Sequence, residues 1–405
     1  MRQPGDGLVM HQWRAPDGGA DDFSLDLLSD LDGDRLDDPV VSWRAGKALH
    51  SAVLNYNLFP LKRFTTEGAL RTGAAGETGT SSMTAMKVVD LKRDGKRELL
   101  ATVATGYELT PRGLYCFDYD TGRLLWRHDT GPCLTEVATI DLDQDGMPEL
   151  VAGGYAVDNG NRADDGTDDG HSYVYAFSSE GKVLWTRQLE GPFAMTHPLV
   201  ADLDGDGKDE LLVWVTASHF YRRDQAKPEV GNILRLDAAG ATVANYDAGA
   251  QLLSCVFADL DGDGASEIIA TDRLGFLHVL NRNLTLRAKT SVTTSRYDGV
   301  DLQVAAVADL DGDGHPEVIL NSTQLGYVSG LNQGKPTGPP NVRVSHDNCI
   351  VVLTDDLKPA ARCVVAQTWR ESPGFSARVA HFDATSPRRI LALSDKALLL
   401  EYDRK

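Results

Sequence analysis

The sequence predicts an all-β fold, a closed seven-bladed β-propeller of four-stranded antiparallel blades, and three observations carry that prediction. An Asp-rich phrase returns along the whole chain, a hairpin phrase returns between its copies, and no segment holds a sustained helical apolar period. The Asp phrase is near-identical in DLDQDGMPELVA from Asp141, DLDGDGKDELLV from Asp202, DLDGDGASEIIA from Asp259 and DLDGDGHPEVIL from Asp309. Two weaker copies precede these, DLDGDRLDDPVV from Asp30 and DLKRDGKRELLA from Asp90, and a degenerate copy, HFDATSPRRILA, starts at His381. Successive copies begin about 50 to 70 residues apart, the length of a four-stranded blade.

The hairpin phrase supplies the outer half of each blade. LYCFDYDTGRLLWRHDTG, YVYAFSSEGKVLWTRQLEG, NILRLDAAGATVANYDAG, FLHVLNRNLTLRAKTSV and IVVLTDDLKPAARCVV each place a turn cluster of Asp, Gly or Asn between two alternating runs. The order within a blade is therefore inner strand A, Asp loop, strand B, a connection, then hairpin C–D. The chain stops after a C-type strand, ALLLEYDRK, and begins with LVMHQWRAP, which resembles the D strands around Trp126 and Trp185. Pairing residues 1–15 beside the last strand would complete blade 7 and leave no open edge. Residues 1–405 thus read as one domain, and removal of residues 1–15 is expected to unfold it.

Composition narrows the function classes. A net charge of −19, from 59 acidic against 40 basic residues, excludes the basic footprint that nucleic acids and anionic membranes require. No apolar run approaches the ~20 residues of a membrane-inserting helix, and MRQPGDGLVMHQW lacks the apolar stretch of a secretory signal. The cysteines, Cys116, Cys133, Cys255, Cys349 and Cys363, are odd in number and scattered, so no disulfide framework is implied. Cys349 and Cys363 lie on the two arms of a predicted hairpin, where they could face each other.

Chemistry concentrates in the pattern D-x-D-x-D-G-x-x-E. Its acids gather hard oxygen ligands around one tight turn, a donor set that suits Ca²⁺ rather than Zn²⁺. The last acid comes too early for an EF-hand, and the flanks are strands. On these motifs the chain resembles the FG-GAP/VCBS propellers, which include the integrin α-subunit head and several secreted carbohydrate-active propellers, and the resemblance spans essentially the full length. It implies calcium in the A–B loops of one face. Carried over by position, the ligands are Asp141, Asp143, Asp145 and Glu149; Asp202, Asp204, Asp206 and Glu210; Asp259, Asp261, Asp263 and Glu267; and Asp309, Asp311, Asp313 and Glu317. Blade 1 has Arg35 at the Gly position and Asp38 at the Glu position, leaving Asp30, Asp32 and Asp34 as a weaker set. Blade 2 has Lys92 at the second acidic position beside Asp90, Asp94 and Glu98, and blade 7 has Arg389 at the Glu position, where no metal is expected. The resemblance further implies a secreted or periplasmic setting, although no signal segment is visible and a cytoplasmic protein stays open; a monomer is expected.

If calcium loops occupy one face, the long connections occupy the other. Three B–C connections, in blades 3, 4 and 6, and the D–A connection after blade 1 exceed what a blade needs, and long loops on a rigid scaffold are the usual seat of binding. Their binding candidates are Tyr155, Arg162, His171, Arg223, Arg296, Tyr297, Tyr327, Arg343, His346, Trp369 and Arg370. Aromatic faces stack on sugars and Arg pairs with carboxylates, so the set points to an acidic glycan, with a protein partner as the other binding reading. An enzyme reading is a polysaccharide lyase in which His197, His219 or Tyr221 removes the proton α to a uronate carboxylate that Arg222 or Arg296 neutralises. A quinoprotein-like reading, prompted by TGRLLW and EGKVLW, is weaker, because Trp126 and Trp185 recur at equivalent D-strand positions where blade packing explains them.

Overall fold

The computed structural model describes residues 13–15, 21–46, 48–67, 81–105, 109–217, 229–292, 300–325, 331–332, 335–336, 346–368, 376–380, 389–393 and 397–401. Among them every regular element is a β-strand. The chain divides into two compact units, Met1–Val200 with Asp237–Ala241, and Ala201–Leu236 with Thr242–Lys405.

The first unit holds three four-stranded antiparallel sheets in chain order. They are β1 (Asp21–Ser29), β2 (Asp38–Ala45), β3 (Ala48–Leu54) and β4 (Pro60–Glu67); β5 (Ser81–Val89), β6 (Glu98–Thr105), β7 (Gly113–Asp118) and β8 (Leu124–Asp129); and β9 (Cys133–Ile140), β10 (Glu149–Tyr155), β11 (Tyr173–Phe177) and β12 (Val183–Gln188). β13 (Ala194–Ala201) meets β10 where Met195 pairs with Tyr155. The middle strands are covered on both faces, which is why they read as continuous apolar runs such as YVYAF, all buried. The outer strands alternate, as in β12, where every second residue is exposed. Leu100 and Leu114 are wholly buried in one cluster with Tyr175 and Phe177, and each such leucine contributes about 1.5–3 kcal/mol.

Tryptophan sets the spacing between neighbouring hairpins. A Cβ on Gly181 would lie 2.4 Å from the Trp126 ring, and one on Gly240 would lie 2.9 Å from Trp185, whose indole N–H donates to Ala238 O at 2.8 Å. Each ring thus lies on a glycine turn whose φ of +79° itself favours glycine. Packing accounts for both tryptophans, and the quinoprotein-like reading of these phrases loses its motive.

The second unit repeats the pattern. β14 (Glu210–Ala217), β15 (Val230–Leu236) and β16 (Thr242–Asp247) pair in order, followed by β17 (Leu252–Ala258), β18 (Glu267–Asp272), β19 (Phe276–Leu280) and β20 (Leu286–Ser291). β21 (Val300–Ala308) and β22 (Glu317–Leu325) join β25 (His346–Leu353) and β26 (Pro359–Thr368), with the short pair β23 (Leu331–Asn332) and β24 (Lys335–Pro336) lying between them in the chain. β27 (Ser376–Ala380), β28 (Arg389–Leu393) and β29 (Ala397–Glu401) form a three-stranded sheet. Cys349 and Cys363 do fall on a hairpin, but Cys349 pairs with Val364 and Cys363 with Ile350. That one-residue offset points the thiols to opposite faces, and both are free. The closing strand, apart from residues 13–15, and the degenerate loop at 381–388 lie outside the described residues.

Candidate metal centres

Each Asp loop joins an inner strand to the next strand of its sheet, and its shape follows from the first aspartate. Asp202 accepts from Gly205 N–H at 2.7 Å through Oδ1 and from Gly207 N–H at 2.8 Å through Oδ2. The same pair of bonds forms at Asp30, Asp259 and Asp309. Folding the backbone around one carboxylate requires positive φ at both donors, and glycine fills most of these positions. Arg35, Arg93 and Gln144 take the same conformation at φ of 71°, 50° and 62°, a strain of about 1–2 kcal/mol each for a side chain with a Cβ.

The last acid of the motif braces the loop. Leu142, Leu203, Leu260 and Leu310 donate their N–H to Oε2 of Glu149, Glu210, Glu267 and Glu317 at 2.8–2.9 Å. In the first loop Asp38 does this with a shorter side chain, accepting from Leu31 N–H at 2.9 Å and Asp32 N–H at 3.0 Å. Asp38 therefore replaces the glutamate in function as well as position.

Five loops gather three carboxylates each, with one oxygen of each acid within 4.8 Å of the others: Asp30, Asp32 and Asp38; Asp141, Asp143 and Glu149; Asp202, Asp204 and Asp206; Asp259, Asp261 and Asp263; Asp309, Asp311 and Glu317. In the first trio Asp38, at the glutamate position, joins Asp30 and Asp32, and Asp34 receives Leu36 N–H at 2.8 Å. These groups fit a hard divalent cation on two further observations. Asp38 Oδ1 and Asp141 Oδ1 are buried with no hydrogen-bond partner among the described residues, a costly state for a carboxylate that a cation would relieve. Burial also pushes the carboxyls of Asp38, Glu149 and Glu317 above the ordinary range, and neighbouring loop aspartates add to the push.

The loops then fall into two electrostatic kinds. In the fifth, Arg287 Nη1 lies 2.8 Å from Asp261 Oδ2 and 2.9 Å from Glu267 Oε1; in the fourth, Arg235 Nη2 lies 3.4 Å from Glu210 Oε1. These are the two loops whose acidic trios omit the glutamate. The second loop forms no such trio among the described residues, consistent with Lys92 at an acidic position. Glu98 still braces Leu91 at 3.0 Å, and Arg97 donates to Leu31 O at 2.7 Å while lying 4.3 Å over the Tyr119 ring.

Away from the loops, His197 Nδ1 lies 3.2 Å from Glu136 Oε1, the two residues standing on inner strands β13 and β9. The blade 3 connection is an ordered element rather than a free loop. Arg112, 1 % exposed, bonds Asp169 at 2.8 Å, Asn159 at 2.9 Å and Gly131 O at 3.1 Å beneath it. On this element Arg162 is exposed and its backbone pairs with that of Asp168, and His171 Nδ1 lies 2.8 Å from Asp168 Oδ1. Tyr155 ends β10 and His346 begins β25. His219, Tyr221, Arg222, Arg223, Arg296, Tyr297, Tyr327, Arg343, Trp369 and Arg370 lie outside the described residues.

Sequence reasoning missed a buried relay in the second unit. His278 Nε2 lies 2.8 Å from Asp272 Oδ2, both wholly buried, and His278 Nδ1 lies 2.7 Å from the Tyr246 hydroxyl. The available signal was a histidine at a strand position that carries Tyr115, Tyr175 or Val351 in other repeats.

The FG-GAP-like repeat family matches residues 141–213 and 259–320. Among curated proteins, none matches the sequence. Among solved structures, rhamnogalacturonan lyase YesW is similar at a TM-score of 0.52 and 16 % identity, over 92 % of this chain and 65 % of the lyase. The quinohemoprotein alcohol dehydrogenase from Comamonas testosteroni is similar at 0.50 and 13 %, over 92 % and 67 % of the two chains. This chain thus spans less than two thirds of the lyase's length, and at these identities the likeness is one of fold: all-β and propeller-like.

Proposed function

We propose, from the premise that this chain is an FG-GAP-like repeat protein, that it is a calcium-stabilised, closed seven-bladed propeller that binds an acidic glycan at the end opposite its Asp loops. The observation that carries the cation half is the pairing of acidic trios with buried, unpartnered oxygens at Asp38 and Asp141. Calcium there would be held by the loop carboxylates and would offset their mutual repulsion, which suits a structural role. A secreted or periplasmic setting, where calcium modules work at Kd values of about 10⁻⁴–10⁻³ M, belongs to this reading. The glycan half is supported by the ordered blade 3 connection, which presents Arg162 on a rigid base. Isothermal titration against acidic and neutral oligosaccharides tests it; a protein that binds proteins but no saccharide contradicts it.

A second reading, a polysaccharide lyase, is favoured by His197 beside Glu136 and by the likeness to YesW. In that reaction His197 would accept the proton α to a uronate carboxylate while the glycosidic oxygen on the β-carbon leaves with its electron pair, creating a C=C bond. The unsaturated product absorbs in the ultraviolet. Loss of that signal in His197→Ala, with calcium binding intact, supports the lyase; no signal across uronate polysaccharides removes it.

A further inference from the structure

Residues 156–172, which join β10 to β11, fold as a strap against the end of the preceding sheet. Their own backbone holds them in shape: Asp158 N–H donates to Asp169 O at 2.8 Å, Ala163 N–H to Thr167 O at 2.9 Å and Asp169 N–H to Asn161 O at 3.1 Å. Several ties cross from the strap to the sheet of β5–β8 and the link that follows it. Asn161 Nδ2 donates to Gly131 O at 2.8 Å, Gly131 N–H donates to Thr167 Oγ1 at 2.9 Å, and Arg112 bonds Asp169. The remaining tie is His128 of β8, whose Nε2 lies 2.9 Å from Asp165 Oδ2. Amides and guanidinium hold their charge near neutrality, so among these ties only the imidazole changes charge between about pH 5 and 8.

The pair is fixed by its packing. The two side chains are 20 % and 14 % exposed, and the imidazole meets the Phe177 ring edge-on at 5.2 Å. Asp165 Oδ1 accepts from Thr167 N–H at 2.9 Å and from its hydroxyl at 2.7 Å, which leaves Oδ2 for His128. Burial pushes the Asp165 carboxyl up, but the bonds from His128 and Thr167 outweigh it and hold the group below its ordinary range. Its contribution to stability is therefore full above the ordinary value of about 3.9 and is lost only as pH falls through the lower folded one. Asp165 thus stays ionised throughout the range in which imidazole titrates.

The other groups around the ring do not compete for it. β7 sets Leu114 opposite His128, and β11 brings Tyr175, whose hydroxyl donates to Thr167 Oγ1 at 3.0 Å and is kept neutral by burial. On the strap Asp164 and Asp168 lie near Asp165 in the chain, and Asp168 is taken by His171. Arg127 and Asp129, on the opposite face of β8, pair with each other at 3.3 Å. The neutral imidazole gives Asp165 a hydrogen bond; a second proton, taken up at Nδ1, turns that bond into an ion pair. We propose that His128 and Asp165 form a pH-operated latch, which fastens the strap to the preceding sheet more tightly in mildly acidic than in neutral solution. The strap carries exposed Arg162, so the latch stiffens the element on which the glycan reading relies, and it stands whether or not a glycan binds there.

The test is amide hydrogen exchange of residues 156–172 in the full chain in calcium-containing buffer, read by mass spectrometry and corrected for intrinsic rates. Protection about fivefold greater at about pH 5.5 than at about pH 7.5 is expected, the upper range for a partly exposed ion pair, and high salt should shrink the difference. His128→Gln keeps a donor but cannot titrate, and should flatten the profile; His171→Gln, which touches only the pair internal to the strap, should leave it. If His128→Gln fails to fold, Asp165→Asn carries the test, since it keeps an acceptor for Thr167, removes the charge and should flatten the profile equally. A wild-type profile that is flat, that persists in folded His128→Gln or Asp165→Asn, or that His171→Gln abolishes, overturns the latch.

Discussion

The sixth and fifth Asp loops are nearly the same in sequence, DLDGDGHPE against DLDGDGASE, yet they present different electrostatics. In the sixth, Glu317 completes an acidic trio and burial holds its carboxyl above the ordinary range. In the fifth, Arg287 sits between Asp261 and Glu267 and the trio forms without the glutamate. The first and third loops side with the sixth; the fourth, with Arg235 on Glu210, sides with the fifth. The repeat motif alone therefore does not fix the electrostatics of a loop, because a guanidinium from a later strand of the same sheet pairs with the acids of two of them.

The largest effect is expected from removing the brace of the sixth loop. Glu317→Ala leaves Leu310 N–H, in a residue 1 % exposed, without its partner, at about 1–3 kcal/mol. It also removes cation linkage worth about 2.7 kcal/mol when calcium stands a hundredfold above Kd. Calorimetric melting should show a larger drop in calcium than in chelator; equal drops contradict a cation at this loop.

Arg287→Gln comes next and has the opposite sign. The guanidinium is 38 % exposed, so solvent screens its repulsion of a divalent cation, and a gain of about tenfold in affinity at one site is expected. Weaker calcium binding in this variant, measured by titration calorimetry, contradicts the comparison.

The pH response follows from the raised carboxyls of Asp38, Glu149 and Glu317. A folded-state pKa above the unfolded one gives stability that is full below the unfolded value and is lost as pH rises through the folded one. Without cation, these groups thus oppose folding at neutral pH. With calcium the order reverses, because the ligands must be ionised, and affinity should fall as the solution is acidified toward their raised pKa values. Melting curves with and without calcium from pH 7 down to about 4.5 should converge; parallel curves contradict the assignment. The smallest effect is expected from Lys92→Asp, which restores the acidic pattern in the second loop and should add one weak calcium equivalent.

Much of this architecture is legible in the sequence because its signals are local. The Asp loops are set by contacts within nine residues, and the Trp126 and Trp185 strands recur at fixed places in their hairpins. What escapes reading depends on which strands become neighbours. Arg287 reaches Asp261 across the sheet, Arg112 meets Asp169 from another hairpin, and His278 joins Tyr246 and Asp272 from three strands. The place of Asp38 depends on the fold in the same way: the sequence shows a shorter acid at the glutamate position, and the chain brings it beside Asp30 and Asp32.

The account is tested most directly by counting calcium ions on the chelator-stripped protein as the free ion is raised, by native mass spectrometry. It predicts a first step of three ions, assigned by loss in Asp38→Ala, Glu149→Ala and Glu317→Ala, and a later step of two that merges with the first when Arg235 and Arg287 are both replaced by Gln. Five equivalent ions would contradict the division between loops, and no saturable uptake would contradict the cation sites themselves.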